Sequence, residues 1–332
     1  MNSKTFVEKF ETLSHLIGST PLLQIEYKYK GEARRVFAKA EYYNFTGSIK
    51  DRMAWNILKN AYAREEIKPG DIICETTSGN TGISFCALGA LLGHKVVIFM
   101  PDWMSEERKK IMTLFGGELK LVSRERGGFL GCLRLAAEFA SGGGVYCPLQ
   151  FDNPYNTECH YLTTAAEIDA QVKKFGTRID AAVAGVGTGG TVMGLRRYFG
   201  KEITVHPLEP ENSPTLSTGY KTGAHRIQGI SDEFIPSIVN LGALDKIISV
   251  NDGDSILMAK KLSACFGLGV GVSSGANFLG AVKLQNENHG RSVVTVFADD
   301  SKKYLGAFAA EEPVLPGYLT PDIELLSFSA VR

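Results

Sequence analysis

Four short segments of this chain carry residue types and spacings that can do chemistry. In Asn44-Phe-Thr-Gly-Ser-Ile-Lys-Asp-Arg52 a lysine stands where a loop becomes a helix. The bland reading of Lys50 is a solvated first-turn lysine. The functional one is a nucleophilic amine, because the positive end of the helix dipole lowers the pKa of a lysine placed there. Thr76-Thr-Ser-Gly-Asn-Thr-Gly82 links a strand to a helix, and its hydroxyls, amide and N–H groups suit a carboxylate. Gly185-Val-Gly-Thr-Gly-Gly190 follows an apolar strand and opens a helix. It reads as the dinucleotide fingerprint GxGxxG, with Glu209 near the distance of a ribose-binding acid, so an NAD-dependent dehydrogenase is one reading. Thr188 and Thr191 add hydroxyls that suit a terminal phosphate dianion, and on this loop alone both readings stand. Gly271-Val-Ser-Ser-Gly275 has the GxSxG spacing of a nucleophile elbow. A hydrolase of that type needs an acid and then a histidine after the serine, whereas here His289 precedes Asp299 and Asp300.

These loops account for part of an unusual composition. Glycine makes up 36 of 332 residues, about 11% against a usual share of about 7%. With no collagen period or low-complexity tract, such an excess points to tight loops where backbone approaches a small ligand. Lys+Arg and Asp+Glu balance at 36 each, which argues against a dedicated nucleic-acid or membrane-surface binder. The start of the chain lacks the apolar run of a secretory signal. The most apolar region, Ile83–Met100, is broken by Gly89, Gly93, His94 and Lys95, so no segment is expected to span a bilayer. The six cysteines are scattered, without a CxxC pair, which fits reduced thiols in the cytoplasm and gives no zinc site. His160 beside Cys159 has no second ligand pair at zinc spacing, so no metal is expected.

The elements that must position these loops alternate. From Lys50 the spacing predicts a helix to Glu66, a strand over Asp71–Glu75, a Gly-punctuated helix to Gly93 and a strand over Lys95–Met100. A helix from Ser105, a strand over Glu118–Val122, a helix over Gly127–Ala140 and a strand over Gly144–Cys147 follow. The second block has strand Ala181–Ala184, helix Gly190–Phe199, strand Ile203–Leu208, helices Asp254–Phe266 and Gly275–Asn286, and strand Ser292–Ala298. Strands separated by such helices imply parallel sheets covered on both faces. The expected architecture is α/β, with two α/β domains and a cleft between them. The smaller covers 45–150, the larger 1–44 plus 151–310, and 311–332 reads as a tail that packs on the surface or on a partner.

Taken together, in this order along the chain, the four segments resemble the cysteine synthase (O-acetylserine sulfhydrylase) family and the related cystathionine β-synthases. These are fold-type II pyridoxal-phosphate enzymes, with the fold of the tryptophan synthase β-subunit. The likeness runs from Ile17-Gly-Ser-Thr-Pro-Leu22 to about Ala309. It implies Lys50 as the Schiff-base lysine, Asn80 on the phenolic oxygen of pyridoxal phosphate, and Ser273 at the pyridine nitrogen. It implies Gly187, Thr188, Gly189, Gly190 and Thr191 around the phosphate, and Thr77, Ser78, Thr81 and Gln150 on the substrate carboxylate. It further implies a homodimer, the cofactor between the two domains, and a small amino-acid substrate, L-cysteine or an activated serine. In that chemistry Lys50 removes the α-proton, a group leaves the β-carbon, and a nucleophile attacks the resulting aminoacrylate. A serine at the pyridine nitrogen disfavours a long-lived carbanion, and expelling the β-substituent relieves that charge.

One departure narrows the reaction. The family usually has glycine and alanine after a Gly-Ile step, whereas this chain reads Gly229-Ile-Ser-Asp-Glu-Phe-Ile-Pro236. Glu233 has a counterpart in cystathionine β-synthases and reads as solvated; Asp232 has none. A carboxylate would repel incoming hydrosulfide, by roughly 4 kcal/mol for like charges about 4 Å apart at an effective dielectric near 20. It would instead serve water as a general base. The expected reaction releases hydrogen sulfide from L-cysteine and adds water to give L-serine, or adds a second nucleophile. The alternative is cysteine synthesis from O-acetylserine and sulfide. Trp55 and Trp103 read as packing residues, Asp299–Lys303 as a solvated loop, and His225 and Arg226 as charge balance for the acidic loop.

Overall fold

A four-stranded and a seven-stranded sheet organise the chain, each within its own unit of the computed structural model, which describes residues 3–332, with side chains from residue 8. The α-helices are α1 (Ser3–Ser14), α2 (Lys50–Ala63), α3 (Asn80–Leu92), α4 (Glu106–Leu114), α5 (Gly128–Ala140), α6 (Pro154–Cys159), α7 (Ala166–Lys174), α8 (Gly190–Phe199), α9 (Thr215–Thr218), α10 (Asp252–Phe266), α11 (Val272–Glu287) and α12 (Leu305–Ala309). The strands are β1 (Leu22–Tyr29), β2 (Glu32–Ala40), β3 (Ile72–Thr76), β4 (Val96–Pro101), β5 (Glu118–Val122), β6 (Val145–Tyr146), β7 (Ala181–Gly185), β8 (Thr204–Pro210), β9 (Ile248–Val250), β10 (Val293–Phe297) and β11 (Ile323–Val331).

The first unit comprises residues 1–18 and 44–159. Its sheet runs β5-β4-β3-β6, all parallel. Successive β4 side chains serve opposite faces, as the two-residue period of a strand demands. Val96, Ile98 and Met100 pack with α1, α2 and α3, while Val97 and Phe99 pack with Cys132 and Ala136 of α5. Helix α1 belongs here because Phe10, Leu13 and Ile17 are buried in the first of these clusters. Helix α6 belongs here too: Asn56 Nδ2 donates to the Tyr155 carbonyl at 2.9 Å. Residues 1–18 therefore differ from the sequence expectation, which grouped them with the larger domain.

The second unit comprises residues 19–43 and 160–332. Its sheet runs β11-β1-β2-β10-β7-β8-β9, parallel from β2 through β9 and antiparallel at β11-β1-β2. Ala181 and Val183 face α10 and α11, while Ala182 and Ala184 face α7 and α8. Covered on both faces, β7 can end in small residues at its carboxyl edge, where a loop is to hold a ligand. Residues 311–332 are more than a tail. They end in β11, which pairs with β1 from Leu22↔Val331 to Tyr29↔Ile323 and closes one edge of the sheet. Most β11 side chains are exposed, so pairing of its backbone rather than an amphipathic pattern makes it a strand. That is why periodicity did not reveal it.

Candidate active site

In the first unit Lys50 is the first residue of α2, half-buried, with Ser48 Oγ accepting from its backbone N–H at 3.3 Å. The next residue fixes it. Asp51 is fully buried and accepts from Thr46 N–H at 2.7 Å, Thr46 Oγ1 at 2.6 Å and Ser84 Oγ at 2.6 Å. This carboxylate folds the loop before Lys50 back on itself and ties α2 to α3. Sequence reasoning missed it, because an acid in a first helical turn is ordinary there.

Helix α3 begins at Asn80 after Gly79 with no side-chain cap, and a helix start of this kind suits an anion. Thr77 Oγ1 accepts from Gly79 N–H at 3.1 Å and shapes the turn. Ser78 and Asn80 are half-buried at its rim. Beneath the turn lies Arg108, whose Nη1 is directed at the Ser78 carbonyl at 3.4 Å. A Cβ on Gly79 would stand 2.6 Å from that nitrogen, so only glycine lets the loop rest on the guanidinium.

Gln150 and Thr81 are brought together: Thr81 Oγ1 donates to Gln150 Oε1 at 2.6 Å, while Gln150 Nε2 donates to the Thr76 carbonyl at 2.8 Å. Gln150 is therefore chiefly the brace of the Thr76–Gly82 loop. Glu75 completes the brace, accepting from Thr76 N–H at 2.8 Å and Gln150 N–H at 3.1 Å. Complete burial pushes its carboxyl up to about 8, against the opposing pull of those two donors.

In the second unit the Gly185–Gly190 loop joins β7 to α8, which again starts without a side-chain cap. A Cβ on Gly187 would lie 2.4 Å from the Gly229 carbonyl oxygen. Gly189 has φ +88°, and its Cβ would lie 2.1 Å from Val239 Cγ2. The glycines thus let two other segments close on the loop at the start of α8. Ser273 is buried in the first turn of α11. One turn on, Asn277 Oδ1 accepts from Gly185 N–H at 2.8 Å and its Nδ2 donates to Val296 at 2.6 Å, so α11 is registered on the end of β7.

The Gly229–Asp232 segment lies against the same loop, with Ser231 N–H donating to the Val186 carbonyl at 2.8 Å. Asp232 is half-buried, and Glu233 pairs with Lys221 at 3.5 Å on the solvent side.

Three expectations are corrected. Asp299 is fully buried rather than solvated, and accepts from Tyr304 Oη at 2.5 Å. His225 does not balance charge: burial lowers its pKa, and its Nε2 lies 3.1 Å from the Ser231 carbonyl. Arg226 is engaged elsewhere, with Asp252 and Glu312. Glu209 also departs from the dinucleotide reading. It is fully buried, accepting from Leu216 N–H at 2.7 Å and from the N–H and hydroxyl of Ser217, so its oxygens serve α9 and not a ribose. His160 is buried, its Nδ1 3.0 Å from Thr164 Oγ1. Among the described residues no three His, Cys, Asp or Glu side chains are grouped to hold a metal ion.

Comparison with known proteins finds relatives over most of the chain. Residues 13–299 match the family described as "Pyridoxal-phosphate dependent enzyme". A cysteine synthase of Staphylococcus aureus is 38% identical over 299 residues, 89% of this chain and 95% of the relative. A crystal structure of a hydrogen sulfide-producing enzyme from Fusobacterium nucleatum is similar at TM-score 0.95 and 54% identity, covering 98% of this chain and 99% of that one. Another describes that enzyme's D232N mutant, lysine-dimethylated, in complex with an α-aminoacrylate intermediate. The cysteine synthase of Entamoeba histolytica is similar at TM-score 0.81 and 34% identity, over 91% of this chain and 92% of that one.

Proposed function

Because the chain belongs to the pyridoxal-phosphate-dependent enzymes, and within them to the cysteine synthase family, we propose that it converts L-cysteine and water to hydrogen sulfide and L-serine. The observation that carries this reading is Asp232, a carboxylate on a segment bonded to the Gly185–Gly190 loop, where the family has small uncharged residues. The Fusobacterium nucleatum enzyme, whose D232N mutant was obtained with α-aminoacrylate, supports it.

The residues present fit the cofactor. Gly187–Thr191 offer backbone N–H groups, two hydroxyls and a helix N-terminus, which match a phosphate dianion. Lys50 would be the amine that carries the cofactor, Asn80 would address its phenolic oxygen, and Ser273 would offer a neutral hydroxyl to its ring nitrogen. When bound, pyridoxal phosphate supplies the electron sink for bond breaking at the substrate's α- and β-carbons. The protein's own groups do the rest. Thr77, Ser78 and Thr81 orient the substrate carboxylate on the braced turn at the start of α3, with Gln150 holding that turn. Lys50 Nζ takes the α-proton. Sulfide leaves the β-carbon as HS⁻, and Asp232 accepts a proton from the water whose oxygen then bonds there. Lys50 returns its proton to the α-carbon, and the proton on Asp232 leaves with the sulfide as hydrogen sulfide. The whole converts cysteine plus water into serine plus hydrogen sulfide. We assign the working form to a homodimer in the cytoplasm, a compartment that suits its six free cysteines.

Incubating the Asp232→Ala variant with L-cysteine and following serine by chromatography tests the reading. Serine formation is expected to fall at least about a hundredfold, after one burst of sulfide per cofactor. Unchanged serine output would sink it and favour cysteine synthesis from O-acetylserine instead.

A further inference from the structure

Ser231 occupies a backbone conformation that its side chain should avoid, with φ +55°. A left-handed residue other than glycine, asparagine or aspartate is uncommon and persists only where its surroundings over-determine it. Here they do, because every polar group of Ser231 is engaged. Its N–H donates to Val186 at 2.8 Å. Its carbonyl lies 3.1 Å from His225 Nε2, and since a carbonyl only accepts, that nitrogen carries the proton. Its hydroxyl lies 3.1 Å from the Ser213 carbonyl and 3.0 Å from Thr215 Oγ1. Thr215 Oγ1 is in turn directed at the Asp232 carbonyl at 3.4 Å.

The anchor for this chain is Glu209 at the end of β8. Its carboxylate gathers the N–H groups of Leu216 and Ser217, and so fixes the first turn of α9, to which Thr215 belongs. A buried carboxylate on a rigid strand thereby holds Thr215, which holds Ser231 and the peptide that follows. The residue carried by that peptide is Asp232.

We propose that Ser231 is a positioning residue for Asp232: its hydroxyl, locked by Thr215 and Ser213, fixes the left-handed turn that aims the carboxylate at attacking water. This rests on the reading of Asp232 as the base for water. Glycine at 231 would adopt the same φ without strain but leave the turn unlatched, so the serine supplies rigidity rather than shape. A general base held loosely loses the alignment on which proton transfer depends, and a shift of about 1 Å can cost on the order of a hundredfold in rate.

The test uses Ser231→Gly, Thr215→Val and Asp232→Asn holoenzymes with L-cysteine as substrate. For Ser231→Gly and Thr215→Val, kcat for serine formation should fall about tenfold to a hundredfold, with KM for L-cysteine unchanged and the unsaturated intermediate accumulating in the absorbance spectrum. In the resting holoenzyme, amide hydrogens of residues 230–234 should exchange faster in both variants. The double variant should be no slower than the worse single one, because one chain of contacts is cut twice. Asp232→Asn should block serine formation with resting exchange unchanged. Serine formation at the parental rate in Ser231→Gly, with Asp232→Asn inactive, overturns the positioning role and leaves the Asp232 reading intact. Parental serine formation in Asp232→Asn overturns the Asp232 reading itself. Should Ser231→Gly fail to fold, Thr215→Val carries the same test, because it keeps residue 231 unaltered.

Discussion

Ser84 Oγ donates to Asp51 Oδ1 at 2.6 Å, and through that bond the helix that starts at Lys50 is fastened to the helix that starts at Asn80. Two residues assigned to the same cofactor thus depend on a third that touches neither substrate nor cofactor in the proposed chemistry. Ser84→Ala should cost about 1.5–3 kcal/mol, the worth of a hydrogen bond to a charged group. Asp51→Ala should cost more, because it strips the acceptor from Thr46 N–H, Thr46 O–H and Ser84 O–H together. Urea unfolding measures both, and borohydride reduction followed by peptide mapping reports cofactor attachment at Lys50. Asp51→Ala is expected to lower that attachment at cofactor concentrations that saturate the parent. Parental stability and labelling would show that the bond is incidental.

Glu75 gives the first unit a pH dependence of definite sign. Its carboxyl is raised to about 8 by burial, so the folded state holds a proton that the unfolded chain releases. The stability it contributes is complete below the unfolded value of about 4.5 and is lost as pH rises through about 8. Within that window the loss approaches at most about 1.4 kcal/mol per pH unit. His206 and His225, both lowered by burial, act oppositely and only below about pH 6.5, where the unfolded chain takes up protons that the folded state refuses. Comparing unfolding free energies at pH 5, 7 and 8.5 for the parent and Glu75→Gln isolates the term. The decline above pH 6.5 should flatten in the variant, and equal slopes would mean that Glu75 is ionised throughout.

What was legible in the sequence follows from which forces each element reports. Gly190–Phe199 and Glu118–Val122 were read with their observed bounds. In the helix the apolar spacing coincides with burial of Val192, Leu195 and Phe199, whereas in the strand only Val122 is buried. β11 left no such trace, because backbone pairing at one side of a mixed sheet holds it and it buries little side chain. β1 does alternate, with Leu23, Ile25, Tyr27 and Tyr29 buried together, yet went unread. The same division runs through the candidate site. Glycine loops declare themselves because close approach admits only glycine, as the 2.4 Å clearance over Gly187 illustrates. Braces do not. Asp51, Glu75 and Arg108 look in sequence like surface charges, and only the fold reveals that each is buried and engaged with Ser84, Gln150 and Ser78 respectively. Glu209, which the sequence offered as a ribose ligand, is buried against the start of α9.

The phosphate cradle should tolerate no side chain at Gly187 or Gly189. Gly189→Ala combines a left-handed φ with a clash against Val239, whereas Gly187→Ala drives a methyl into the Gly229 carbonyl. Each should weaken cofactor binding more than about tenfold, or about 1.4 kcal/mol, measured by equilibrium dialysis against pyridoxal phosphate. Gly187→Ala should additionally speed amide exchange over 229–232, since the obstructing atom belongs to that segment. Adding Val239→Ala to Gly189→Ala should recover only part of the affinity, because it removes the clash but leaves the φ strain. Parental affinity in either single variant would mean that the loop relaxes without cost.

The carboxyl-terminal strand is predicted to guard a sheet edge. Removing residues 323–332 deletes β11, and with it the partner of β1 along all eight of its residues. β1 would then present unpaired N–H and C=O groups, a template for pairing with other chains. The buried Ile323 side chain would be lost as well, along with the Lys261 Nζ bond to its carbonyl. The preceding turn should survive, because Asp254 accepts from Leu319 N–H at 2.7 Å and Thr320 N–H at 3.0 Å. The expected outcome is a lower Tm with concentration-dependent light scattering, while cofactor absorbance per folded chain is retained. Adding Gln24→Lys and Leu23→Lys to the truncated chain is not an equivalent repair, since Leu23 is buried, whereas Gln24 is half-buried and would add a charge to those β1 already carries at Glu26 and Lys28. Gln24→Lys in the truncated chain should therefore reduce scattering without restoring Tm, and a truncated chain that stays monodisperse at the parental Tm would assign β11 no protective role.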